Sequence, residues 1–310
     1  MPDHPADPAP NSWLANPKET KGVLNRFGLY TKHRLGQNFL VNDAVIGGIL
    51  DLADLDARDV VFEVGPGIGT LTVAMLPLAG AVVSVEADHT LEPVLAETCA
   101  RDSDRFALLL GDALKVTPEE LTSAVAGLGI EGLDPQPTKL VSNLPYQVAA
   151  TVILRTLETQ PHVNSAVVMV QAEVADRIAA TPGSKEYGAY TAKLNLYGRV
   201  TGRFEVGPGN FQPAPHVDSA VVRIDRQPVA GPDGQPLSTA ELEWTAQVID
   251  AAFAQRRKTI RNSMSSSGFE KDALDAAFAQ TGIDARSRAE TLSVESFVWL
   301  AQALGEARDA

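Results

Sequence analysis

Apolar and polar positions along the chain follow two periods in turn. Short apolar runs at Val60–Val64, Ala81–Glu86, Phe106–Leu110, Lys139–Ser142 and Ser165–Val170 read as buried strands. Between them lie stretches with apolar residues at helical spacing: 44–52, 71–78, 91–100 and 151–157. In the first of these Val45, Ile46, Ile49 and Leu50 share a face, and Asn42 or Asp43 can cap it. Short strands alternating with helices predict a parallel sheet with right-handed crossovers, an α/β domain over 25–226. One further strand, Ala220–Ile224, is followed by a Pro/Gly-rich stretch read as a linker over 227–237. The helical period then returns, with Trp244, Val248, Ile249 and Phe253 on one face, and predicts an all-α region over 238–310.

Composition narrows the class. At 310 residues, with 45% hydrophobic and 21% charged positions, the chain is an ordinary globular mixture large enough for two domains. No apolar run approaches the roughly 18–20 residues of a membrane span. Residues 1–21 are polar and Pro-rich, without the apolar centre of a secretory signal, and 1–24 is expected to be a disordered tail. Cys99 is the only cysteine, so no disulfide and no cysteine metal cluster is expected, and the location implied is cytoplasmic. The net charge of −13 weighs mildly against nucleic acid, but binding follows the local field over a patch. The densest cationic run is Arg256-Arg257-Lys258 with Arg261. It reads either as a phosphate-contact surface or as a solvated helix end. Lys32-His33-Arg34, Arg199 and Arg203 are candidates to extend it.

Candidate chemistry collects at the ends of the predicted strands, where α/β sheets bind ligands. Glu63-Val64-Gly65-Pro66-Gly67-Ile68-Gly69-Thr70 places alternate glycines at a strand-to-helix turn. Such a turn lets the backbone approach a ligand closely, and its spacing departs from the dinucleotide fingerprint. Glu86 ends the next strand about 20 residues beyond the first glycine, where Rossmann-type folds hold ribose hydroxyls. Asp112 follows the third strand. Asn143-Leu144-Pro145-Tyr146 follows the fourth. There a side-chain amide carbonyl and a backbone carbonyl stiffened by proline can orient an exocyclic amine, and an aromatic face can stack a base. Phe211, at the start of Phe211-Gln212-Pro213-Ala214-Pro215-His216-Val217-Asp218-Ser219, is a second candidate base contact, or simply a packed phenylalanine of a Pro-rich connection.

The glycine turn resembles the first motif of the S-adenosylmethionine (SAM) methyltransferases, a Rossmann-like fold. Together with Gln37-Asn38-Phe39-Leu40, Glu86, Gly111-Asp112-Ala113, Asn143-Leu144-Pro145-Tyr146 and the 211–219 segment, in this order, it resembles the ribosomal RNA adenine N6-dimethyltransferases, within them the bacterial small-subunit type. The resemblance runs from Lys32 to the C-terminus. It implies that Asn38, Leu40, Gly65, Gly67, Glu86, Asp112 and Asn143 hold SAM. It also implies that Asn143, Leu144, Pro145, Tyr146 and Phe211 surround the target adenine, and that no metal takes part. The implied activity is dimethylation at N6 of two adjacent adenosines in a hairpin near the 3′ end of 16S rRNA, by a monomer acting on the 30S particle late in its assembly, with no membrane partner. The related large-subunit (23S) methyltransferases that confer macrolide-type resistance share most of these motifs. An assembly factor without turnover and an NAD-linked oxidoreductase are the alternatives of other classes.

Overall fold

A computed structural model of the chain describes residues 9–29 and 38–309, and it divides into two compact units. The first comprises the described residues up to Ala172 together with Thr201–Ile224. The second comprises Glu173–Val200 and the chain from Asp225 onward.

The described residues form nine strands: β1 (Phe39–Leu40), β2 (Val60–Val64), β3 (Ala81–Glu86), β4 (Phe106–Leu110), β5 (Lys139–Asn143), β6 (Ser165–Gln171), β7 (Gly198–Val206), β8 (Phe211–Gln212) and β9 (Ser219–Arg226). Seven make one sheet in the order β4-β3-β2-β5-β6-β9-β7. The pairs β2–β3, β3–β4, β2–β5 and β5–β6 are parallel, as the alternation of strands and helices predicts. Strands β2 and β3 are buried along their whole length, which explains their mostly apolar character. The helices of this unit are α1 (Pro17–Arg26), α2 (Asp43–Ala53), α3 (Thr72–Met75), α4 (Glu92–Thr98), α5 (Pro118–Ala126) and α6 (Ala149–Thr159).

The strand order reverses direction between β2 and β5, the place where such sheets open a crevice. The ladder there covers only Val61↔Lys139 and Phe62↔Leu140. Beyond it the Ser142 hydroxyl donates to the Val64 carbonyl (2.6 Å) and accepts from the Val64 N–H (3.3 Å). A side chain thus satisfies backbone groups that a neighbouring strand would otherwise pair, and the two strand ends are released from each other. At the opposite end of β5, the ammonium of Lys139 pairs with Asp59 (3.1 Å). It also donates to the carbonyls of Ala53 (2.8 Å) and Asp54, tying down the C-terminus of α2. The N-terminus of α2 is capped by the Asn42 side chain, whose amide also reaches Asn210 (2.7 Å). A small antiparallel pair is formed in front of it, with Leu40 opposite Phe211 in β1–β8.

The second unit contains α7 (Ala172–Ile178, from Glu173 onward), α8 (Ala189–Leu194), α9 (Thr239–Phe253), α10 (Ile260–Ser266), α11 (Lys271–Thr281) and α12 (Val294–Asp309). Tyr187 is fully buried in it, donates to the Leu292 carbonyl (3.1 Å) and packs its ring on Phe253, which in turn meets Phe297.

Four features differ from what the sequence pattern predicts. Residues 17–26, expected within or beside a disordered tail, form α1. Asn16 caps it, Pro17 opens it, and Leu14, Val23 and Leu24 are buried with Phe39, Ile68 and Leu91. A few apolar side chains with a surface to cover outweigh the polar composition around them. Residues 173–200, expected inside the α/β domain, group with the C-terminal helices, because Tyr187 is a core residue there. The stretch read as a linker is folded back: Val229 is buried, its N–H donates to Leu196, and Gly231 and Gln235 close a turn. The helices predicted at 71–78 and 91–100 are shorter than expected, at four and seven residues, the second flanked by 3₁₀ turns.

Candidate active site

A cavity of about 270 Å³ opens at the carboxyl ends of β2, β3, β4 and β5. Asn38, Leu40, Gly65, Gly67, Glu86, Asp112, Asn143, Leu144, Pro145, Tyr146 and Phe211 all line it. Every SAM-contact and adenine-contact residue expected from the sequence is therefore at one place in the fold. Gln37 and Lys32-His33-Arg34 lie outside the described residues.

The floor is the glycine turn. Gly65 and Gly67 have φ of +71° and +61°, a region L side chains rarely adopt. A Cβ on Gly65 would stand 3.2 Å from Cγ of Pro145, and one on Gly67 would stand 3.3 Å from the Phe39 ring. The missing side chains let the Asn143–Tyr146 segment and β1 close over the turn. Thr70, buried at 6% exposure, lines the cavity, and its hydroxyl has no hydrogen-bond partner among the described residues.

The acids are held differently. Glu86 is buried and accepts from the N–H groups of Gly67 (3.2 Å) and Asp88 (2.9 Å). Burial raises its pKa, and those N–H bonds oppose the rise. Asp112 sits half-exposed at the rim, accepting from the Leu114 N–H (3.0 Å), with Lys115 at 3.9 Å. Glu63, beneath the turn, is 1% exposed. It takes the hydroxyls of Thr72 and Ser84 on one oxygen, both at 2.7 Å, and burial pushes its pKa up to about 7.

The Asn143–Tyr146 segment leaves β5 with the Leu144 N–H bonded to the Met169 carbonyl (3.1 Å), which fixes its direction. The Asn143 amide makes no side-chain hydrogen bond among the described residues. The Tyr146 hydroxyl is 2.8 Å from Oγ of Ser219. Phe211 is 5% exposed: it belongs to the apolar core and still borders the cavity, so both readings of that residue hold in part.

The cationic run lies in the second unit. Arg256 pairs with Glu290 (2.9 Å) and reaches the carbonyls of Lys185 and Tyr187. Arg261 forms a two-point pair with Asp275 (2.5 and 2.6 Å). Arg257 and Lys258 are exposed and form no ion pair among the described residues. Arg199 pairs with Glu295 and Arg203 with Glu205. Thr70 and Ser219 stand inside the two segments singled out in the sequence, but neither is given a role there. Thr70 follows the last glycine of the turn, whereas nothing in the pattern pairs Ser219 with Tyr146, 73 residues away.

The sheet order, the glycine turn and the acid closing β3 define a Rossmann-like SAM-dependent methyltransferase fold. Solved structures agree on that fold. A dimethyladenosine transferase from Plasmodium falciparum matches with a TM-score of 0.68 at 22% identity, over 84% of this chain and 95% of that one. A 23S rRNA methyltransferase, ErmE, matches with 0.63 at 23% identity, over 86% and 100%. Within that class the chain belongs to the ribosomal RNA adenine dimethylase family, whose model matches residues 28–306. Among curated relatives, ribosomal RNA small subunit methyltransferase A of Thermobifida fusca is 39% identical over 93% of this chain and 96% of its own length. The protein of the same name from Streptomyces coelicolor is 39% identical over 96% and 99%.

Proposed function

We propose that the protein dimethylates N6 of two adjacent adenosines in small-subunit rRNA, using SAM and acting on the assembling small particle. The observation that carries the reading is the single cavity in which the glycine turn, two strand-end acids and the Asn143–Tyr146 segment meet. Near-full-length relatives named for the small-subunit reaction support the choice of target.

The residues present suit SAM. A buried hydroxyl at Thr70 without a partner among the described residues, an acid at Glu86 fixed by two backbone N–H groups, and a turn where a Cβ at Gly65 would be strained and crowded are what a closely held polar ligand requires. When bound, SAM supplies an electrophilic methyl group. Glu86 would accept the ribose hydroxyls, Asp112 the adenine amino group of the cofactor, and Asn38, Leu40 and Gly67 would enclose its remaining length. The carbonyls of Asn143 and Leu144 would accept the two N6 hydrogens of the target base and aim its lone pair, which combines positioning with electrostatic stabilisation. Tyr146 and Phe211 would flank the extruded base, with stacking of about 1–3 kcal/mol per ring. No side chain is needed as a base, since the methylated nitrogen can release its proton to water.

Arg257 and Lys258, exposed and without an ion pair among the described residues, are the cations best placed to meet RNA phosphates, while Arg256 and Arg261 brace the surface that carries them. The test is transfer of labelled methyl from SAM to small subunits lacking the modification, to large subunits and to naked small-subunit rRNA, side by side. Label recovered as dimethyladenosine from the small particle is the expected result. Label on the large subunit overturns the target. SAM binding without transfer to any of the three overturns the activity and favours an assembly role.

A further inference from the structure

The segment 211–219 begins with one aromatic residue of the cavity, Phe211, and ends with the hydroxyl that holds another, Tyr146. At its start Phe211 is fixed by its register opposite Leu40. Near its end the Asp218 carbonyl accepts from the Ala172 N–H (2.9 Å). At its end Ser219, the first residue of β9, places Oγ 2.8 Å from the Tyr146 hydroxyl.

Ser219 stands out chemically. It is fully buried and continues into Ala220, Val221 and Val222, which are also fully buried. A hydroxyl in such surroundings costs stability unless it is bonded, and its bond goes to Tyr146. An alanine would suit the strand equally well, so the oxygen serves the tyrosine and not the sheet. The phenolic oxygen lies on the axis through Cβ and Cγ, so a hydrogen bond there pins χ1 and the direction of that axis. Ordering of this kind leaves the ring in place before a base arrives, so less freedom is lost on binding.

We infer that Ser219 is a positioning residue for the target base: through Tyr146 it fixes the place of the ring on which the base is held, and through the 211–219 segment it ties that ring to Phe211. This deepens the reading of the site as an adenine N6-methyltransferase and rests on it. Ser219 is not among the residues that line the cavity, so its loss is expected to leave SAM affinity unchanged.

The test is a double-mutant cycle on the full-length protein with unmodified small subunits, reading the single-turnover rate of methyl transfer at saturating SAM. Ser219→Ala and Tyr146→Phe remove the same bond from its two sides. Each is expected to slow transfer by about tenfold, and the double variant is expected to be no slower than either single one. SAM affinity is expected to match the wild type in all three. A wild-type rate in Ser219→Ala, or a double variant whose deficit is the product of the two single deficits, overturns the assignment. Tyr146→Phe keeps the proposal testable if the buried alanine compromises folding, since it deletes the bond without opening a void in β9. A wild-type protein that transfers no methyl to adenosine instead overturns the reading of the site on which the assignment stands.

Discussion

Strand β5 treats its two ends in opposite ways. Lys139, at its start, is 8% exposed and fully committed, to the Asp59 carboxylate and the carbonyls of Ala53 and Asp54. Four residues on, Asn143 borders the cavity with its amide uncommitted among the described residues. Ser142, beside it, gives its hydroxyl to the Val64 backbone and so keeps the strand ends apart. Both ends are polar, and what separates structure from chemistry is whether the polar groups are spent. At the closed end an unpaired group would be a defect; at the open end it is what a ligand meets.

The largest expected effect tests the closed end. Lys139→Met removes the cation and leaves the Asp59 carboxylate and two carbonyls with fewer partners, in a place with little access to water. Breaking a buried pair by deleting one partner costs about 3–5 kcal/mol. Denaturant unfolding should show a loss of that order, while the folded protein keeps its SAM affinity. A loss below about 1 kcal/mol would place the pair among ordinary surface ion pairs and weaken the contrast.

Next comes the open end. Asn143→Ala should cut turnover by about 10²-fold or more, the range for deleting one preorganised polar contact to a transition state. Melting temperature and SAM affinity should change little, because no described residue hydrogen-bonds that amide. Comparable losses in turnover and SAM affinity would make Asn143 a cofactor contact first.

Much of this site is legible in the sequence, because strand ends in an α/β sheet are where ligands gather and the glycine turn, Glu86, Asp112 and Asn143 each close a readable strand or turn. Local patterning reaches no further than neighbours along the chain. The Tyr146–Ser219 bond joins residues 73 apart, and the Arg256–Glu290 pair residues 34 apart. The α1 helix escaped because its few apolar positions gain stability only against Phe39, Ile68 and Leu91. The grouping of 173–200 with the C-terminal helices is hidden for the same reason: Tyr187 reads as a loop residue until Phe253, itself packed on Phe297, meets its ring.

Glu63 sharpens the comparison along pH. Its carboxyl is raised by burial from 4.5 to about 7, against the two hydroxyl bonds that favour the charged form. Folding therefore takes up a proton between these values. The contribution to stability is complete below about 4.5 and is lost as pH rises through about 7. Over that window stability should fall by up to about 1.4 kcal/mol per pH unit from this one group. Glu63→Gln, which cannot titrate, should flatten the profile by that amount. An unchanged slope would mean the carboxyl stays ionised in the folded protein.

The smallest effect carries the contrast of spent and unspent groups into the helical unit. Arg256 and Arg261 are bound to Glu290 and Asp275, while Arg257 and Lys258 stand exposed between them in sequence. A cation that neutralises a phosphate releases counterions, so its loss lowers the slope of log affinity against log salt by about 1. Arg257→Ala and Lys258→Ala together should therefore reduce the slope for small-subunit binding by about 2. Arg256→Ala and Arg261→Ala should lower the melting temperature and leave the slope as it was, because their charge is already balanced within the protein. Equal slope changes at all four positions would mean that RNA competes away the internal carboxylates, and that the pairs with Glu290 and Asp275 are held only while the RNA is absent.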